Sequence, residues 1–226
     1  MTTTGYNKPE NGKFTLIAHS LGCYICCNFA IKHHDLVKEM ILISPAAVNG
    51  APDKFDPQEW IKNRSTTVLK YCFKAFYFVW DFHLSPAAPA KVLGYYIGNN
   101  IYKSWLTRIK PPTQADKDAY ALLQRQSCLR QKTSADRCMS VIFAFGLHAR
   151  IPLERFWRDK DCPLRQTKCI FLYGANDSMD RKYADALKKE GCLAKGSVIY
   201  SISNADHHLY INNPEETLKR IKENVS

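Results

Sequence analysis

The stretch FTLIAHSLGCYICC, Phe14–Cys27, holds an apolar run, a break at Ser20 and a second apolar run. Phe14–Ala18 is short and rich in β-branched and aromatic residues, as a buried strand is. Leu21–Lys32 is apolar at helical spacing. Ser20 therefore stands at a strand-to-helix turn, in Ala18-His19-Ser20-Leu21-Gly22. This is a small-x-Ser-x-small variant of the G-x-S-x-G elbow, with Ala18 in place of the first glycine. Such an elbow holds its serine in a strained conformation, and Cβ atoms two residues to either side are expected to collide unless those residues are small. The Leu21 N–H, at the helix start, is the candidate donor to an oxyanion. The competing reading is a serine that only caps a helix.

Working outward, three more apolar runs read as strands: Met40–Ser44, Lys168–Tyr173 and Ser197–Ile202. Strands apolar on both faces belong to a parallel sheet covered by helices. Asp180–Glu190 and Glu215–Asn224 read as helices, the second opened by Pro214. Between Pro45 and Pro163 the pattern is helical: Asp56–Asn63, Thr67–Asp81, Pro89–Lys103, Thr113–Ser127 and Ser134–Gly146. The expectation is an α/β core made of residues 1–50 and 160–226, about four parallel strands, with an all-helical cap over 51–159. In the cap, Tyr71, Phe73, Phe76, Tyr77, Phe78 and Trp80 crowd one helix. Aromatics so spaced form a core or a lid over an acyl-binding pocket that dips into a membrane interface. His83, beside them, reads as structural.

A serine hydroxyl is a weak nucleophile without a base, and the base needs an acid to orient it. Open α/β sheets place such groups at the carboxyl ends of strands. After the third strand comes Gly174-Ala175-Asn176-Asp177-Ser178-Met179-Asp180, and after the fourth Asn204-Ala205-Asp206-His207-His208. Serine, acid and histidine thus follow in the chain order of an elbow-type triad.

These segments resemble the α/β-hydrolase superfamily. HSLGCYICCNFAIKHHDLVKEMILISPAAV is similar to the elbow, helix and next strand of its lysophospholipid acyltransferase, N-acyl-phospholipid lipase and cardiolipin-specific deacylase branch. FVWDFHLSPAAPAKVLGYYIG resembles that branch's cap, Phe145–Phe156 its return to the core, and ADHHLYINNPEE its histidine loop. The resemblance implies Ser20 as nucleophile and His207 as base. It offers two acids: Asp177, at the general position of the superfamily and the preferred one, and Asp180, which some branch members match. An H-x4-D pattern linked to acyl transfer in some members is met here by Asn212 after His207 and Asn213 after His208, which favours hydrolysis over transfer. The superfamily also places several strands before the elbow strand, and one of their loops supplies a second oxyanion donor. Only thirteen residues precede Phe14 here. The resemblance thus implies a partial α/β-hydrolase fold with Phe14–Ala18 as an exposed edge, open to pairing with another chain.

Hydrophobic residues make up 46% and aromatics 12% of the 226-residue chain, which sets disorder aside. Met1–Pro9 has no signal-peptide pattern. Cys23 and Cys26 form a C-x-x-C, but no second pair stands at zinc spacing, so the nine cysteines read as free thiols of a reducing compartment. No metal or cofactor is expected. The net charge of +11 comes without a nucleic-acid-binding motif, so no nucleic acid is expected; an anionic membrane surface is the stronger candidate partner, and the alternative is a solvated basic surface with no dedicated partner. The expectation is a serine esterase or lipase of lysophospholipid or related acyl-lipid esters, with acyl transfer as a variant, cytoplasmic and peripheral at a lipid surface. The alternative is a truncated hydrolase-like subunit, weak or inactive, that binds lipid or a protein partner. A third reading is a basic peripheral-membrane module with incidental triad residues.

Overall fold

The computed structural model describes residues 12–50, 56–63, 66–83, 113–125, 134–146 and 148–225. Two compact units emerge: Met1–Asn49 with Pro152–Ser226, and Gly50–Ile151. The chain rejoins the first unit earlier than the expected 160, because Leu153 and Trp157 are fully buried in that unit's core.

The first unit holds one parallel sheet of four strands, β1 (Phe14–His19), β2 (Val37–Ile43), β5 (Lys168–Gly174) and β6 (Val198–Ile202), in the order β1-β2-β5-β6. Helix α1 (Leu21–Lys32) links β1 to β2. Downstream lie α6 (Glu154–Arg158), a 3-10 turn (Pro163–Gln166), α7 (Lys182–Lys189), α8 (Leu209–Asn212) and α9 (Pro214–Asn224).

Alternation along the central strands explains their unbroken apolar runs. Met40, Leu42, Cys169, Phe171 and Tyr173 face one cluster with Cys23, Cys27, Trp157 and Leu187. Ile41, Ile43, Ile170 and Leu172 face the other with Ile202 and Leu209. Both faces are covered, so both sets of side chains are apolar. β1 differs. Ala18 is buried, whereas Ile17 is 57% exposed, the condition expected of an edge strand. At the amino-terminal end of the sheet Glu39, 1% exposed, accepts from Lys168 Nζ at 2.8 Å and Thr15 Oγ1 at 3.2 Å. A buried carboxylate needs such partners, and these link β1, β2 and β5.

The second unit contains α2 (Pro57–Lys62), α3 (Thr67–Asp81), α4 (Gln114–Arg125), α5 (Ser134–Ile142) and an antiparallel pair, β3 (Phe143–Ala144) and β4 (His148–Ala149). The cap is therefore not all-helical. The helix expected over Ser134–Gly146 stops at Ile142, and the chain turns at Gly146, whose φ of 87° suits glycine alone. The turn carries Phe145, whose ring meets Trp60, Tyr77 and Trp80 edge-on at centroid distances of 5.8, 5.2 and 6.5 Å. Trp80 Nε1–H donates to Phe143 O at 2.9 Å, and His83 Nδ1 bonds Ser140 O at 3.0 Å. One face of α3 is thus core. Its other face exposes Tyr71 and Phe78, and Phe78 stacks on Phe82 at 4.4 Å. The helix expected over Pro89–Lys103 lies outside the described residues. Among the described residues no helix is long and apolar enough to cross a membrane.

Candidate active site

Ser20 sits between β1 and α1 with φ 53° and ψ −121°. A non-glycine residue at positive φ is strained by about 1–3 kcal/mol and persists only where its surroundings fix it. Here Ser20 N–H donates to Ile43 O at 2.9 Å, and Ser20 O accepts from Cys23 and Ala46 N–H at 3.0 and 3.2 Å. The side chain makes no helix-capping bond, unlike an ordinary N-cap serine. One expectation needs correcting. A Cβ on Gly22 would meet Ala18 Cβ at 3.9 Å, an ordinary contact, so a methyl group fits and the elbow does not exclude it.

The hydroxyl points to the histidine loop. His207 Nδ1 lies 3.1 Å from Asp177 Oδ1, and Nε2 lies 2.9 Å from Ser20 Oγ. Since a carboxylate only accepts, Nδ1–H donates to Asp177 and Nε2 is free to accept from the serine hydroxyl. Asp177 Oδ1 also accepts from Met179 N–H at 2.9 Å. Burial pushes the Asp177 pKa up, but the bonds from His207 and Met179 N–H and the nearby Ser44 hydroxyl outweigh it and hold it below the usual value. Asp180 does not join this chain. It is half exposed, accepts from Lys182 N–H at 2.9 Å and pairs with Lys182 Nζ at 2.6 Å. Leu21 is the first residue of α1, and the first N–H groups of a helix have no acceptor within it.

The acid and histidine loops are laced together. Ala175 N–H donates to Ile202 O at 2.8 Å and Asn176 N–H to Ala205 O at 2.9 Å. Gly174 makes this approach feasible, because a Cβ there would fall 2.3 Å from Asp206 O. Asn212 Oδ1 accepts from Asp206 N–H at 3.1 Å, so the residue at the H-x4-D offset clamps the loop that carries His207.

Sequence reasoning gave no role to the aromatic cluster around His207. His19 Nε2–H donates to His207 O at 2.9 Å, and His208 Nδ1 bonds Tyr210 Oη at 3.0 Å. The His19 ring lies 4.8 to 5.1 Å from those of His207, His208 and Tyr210. Burial, then the neighbouring His19 and His207, press the His208 pKa down to about 4; burial lowers that of His19 too. The one sequence signal was the density of histidines at the elbow and loop.

Cys23 and Cys26, the C-x-x-C pair, both lie on α1. Cys23 Sγ is buried 3.2 Å from Ala18 O, and burial raises the pKa of Cys23, Cys27 and Cys169.

A family model described as the α/β-hydrolase fold matches residues 10–71. A 1-acylglycerol-3-phosphate O-acyltransferase of Arabidopsis thaliana is 26% identical over 92% of this chain and 49% of its own length. One from Saccharomyces cerevisiae is 26% identical over 90% of this chain and 52% of its own length. The chain therefore spans about half the length of the curated relatives it matches. Their names are consistent with the branch that the elbow, cap and histidine-loop segments resemble. The structure of MenH from S. aureus superposes with a TM-score of 0.54 at 18% identity, over 95% of this chain and 70% of that one. With its parallel sheet, its elbow and these likenesses together, the chain has the α/β-hydrolase fold.

Proposed function

We propose that this chain carries the catalytic triad of a lipid-acting serine hydrolase or acyltransferase, with Ser20, His207 and Asp177 as its members. The observation that carries the reading is the unbroken relay from Asp177 Oδ1 through both ring nitrogens of His207 to Ser20 Oγ. Ser20 Oγ attacks an acyl carbonyl while His207 Nε2 takes its proton. Leu21 N–H stabilises the oxyanion, and His207 returns the proton to the leaving alcohol. Asp177 keeps Nδ1 protonated and steadies the imidazolium. Water or an acceptor alcohol then takes the acyl group from Ser20. The names of the curated relatives support a lysophospholipid or related acylglycerol ester as substrate. Tyr71 and Phe78 on the exposed side of α3 and Phe82 just past its end, with Lys74, support docking on an anionic lipid surface.

The test is fluorophosphonate labelling of the full chain, then acyl release from a lysophospholipid. Labelling abolished by Ser20→Ala is the expected result. A chain that is not labelled, or labelled equally in Ser20→Ala, sinks the reading and favours a non-catalytic subunit that pairs through the exposed edge of β1.

A further inference from the structure

Asp177 has one oxygen engaged and one idle. Oδ1 accepts from His207 and Met179, whereas Oδ2 is buried with no partner in hydrogen-bond geometry. Ser44 Oγ is in the same condition, on a residue with no exposed surface. Two such orphans are costly in a close-packed interior, each by the loss of its hydration. The backbone brings them together. Ser44 follows the last residue of β2, and its N–H donates to Leu172 O at 2.8 Å, which fixes it against the carboxyl end of β5. Three residues past the end of β5 the chain reaches Asp177. Ser44 holds φ at 44°, a region in which non-glycine residues are uncommon, so its placement is enforced by the sheet. Its hydroxyl stands close enough to favour the ionised form of Asp177. A hydroxyl rotates to suit its acceptor, and a carboxylate oxygen offers two lone pairs.

We propose that Ser44 is a positioning residue: its hydroxyl donates to Asp177 Oδ2 and keeps the carboxylate turned toward His207. This rests on the triad reading above. Ser44 touches neither substrate nor nucleophile and acts only through Asp177. The second oxygen of the acid is held from the β2 end, as the first is held by Met179 N–H in its own loop.

The experiment follows fluorophosphonate labelling rates of the full chain against pH for the parent, Ser44→Ala and Ser44→Gly, each also on an Asp177→Asn background. Glycine tolerates the positive φ, so at least one variant lacks the hydroxyl without added strain. Both single variants are expected to label about tenfold more slowly. Their acidic limb moves to higher pH, because removing the positive end of a donor dipole raises the pKa of the groups it faces. On the Asp177→Asn background the Ser44 substitutions change nothing further. Rates and acidic limbs equal to the parent's overturn the proposal. So does a loss that tracks a fall in melting temperature with the limb unmoved, or an equal loss on the Asp177→Asn background. A parent that is not labelled overturns the triad reading and this proposal with it, whereas a labelled parent with indifferent Ser44 variants overturns this proposal alone.

Discussion

Two glycines, one beside Ser20 and one beneath the histidine loop, differ in what a methyl group would meet. On Gly174 it would strike Asp206 O and Ala205 O at 2.3 and 2.6 Å, and backbone cannot swing aside. On Gly22 it would make an ordinary contact, inside a helix where alanine is the better former by about 1 kcal/mol. Gly174→Ala is therefore expected to displace the histidine loop and abolish labelling, while Gly22→Ala keeps it and raises the melting temperature slightly. Equal behaviour of the two would contradict this. The two acidic candidates separate in the same way. Asp177→Asn removes the acceptor that fixes the His207 tautomer, a change that costs about 10⁴-fold in a serine protease. Asp180→Asn breaks only a surface ion pair, and the labelling rate should stay within about twofold of the parent. Sequence alone left both acids open, since each lies in the loop after β5. Only the fold of that loop, with Met179 N–H turned back onto Asp177, separates them. His208 gives a pH prediction. Its pKa is about 4 in the folded chain against 6.5 as the reference value, so between those values the unfolded chain binds a proton that the folded chain refuses. Stability is lost as pH falls through that window, and His208→Gln should flatten the loss in denaturant titrations at a series of pH values.

At the scale of elements, the sequence was most legible where one period dominated. The span of α1 is as expected, and β1, β5 and β6 agree to a residue at each end. β2 begins earlier than expected, at Val37, because exposed Lys38 and charged Glu39 interrupt the apolar run. Glu39 nonetheless lies in the sheet, its charge met by Lys168. The β3–β4 pair was hidden because two-residue strands have no period, and α8 because it is one turn long. α3 was legible as a helix but not as a two-sided one, since its aromatics cover both faces. Trp60 and Phe145 cover one side of it, meeting Phe73, Tyr77 and Trp80. The other side yields a prediction: Phe78→Ser with Phe82→Ser should weaken binding to anionic vesicles and leave fluorophosphonate labelling intact. Undiminished binding would argue that α3 does not meet the lipid.

In the whole molecule the sheet is assembled from the two ends of the chain, with Gly50–Ile151 between them. Residue 39 must find residue 168, and Ser20 must find His207, so the relay forms only when distant segments have met. Pairing of such separation slows folding. It also explains why Ser20 was easy to read as a candidate and its neighbours were not: the elbow is a local pattern, whereas the bond from His19 to His207 joins parts of the chain that no window of sequence contains.

The chain leaves the first unit and re-enters it at a single place. Leu153 N–H donates to Ala47 O at 2.8 Å, and Glu154 N–H to Val48 O at 2.9 Å. That pair of bonds makes the junction a socket. Whatever lies between Asn49 and Pro152 is tethered at two neighbouring points, and a short Gly/Ser bridge spans them at little entropic cost. A shortened chain so bridged should still fold, and a single cooperative melting transition would show it. An unrelated domain cut to the same two ends can therefore be carried at that socket without altering the sheet.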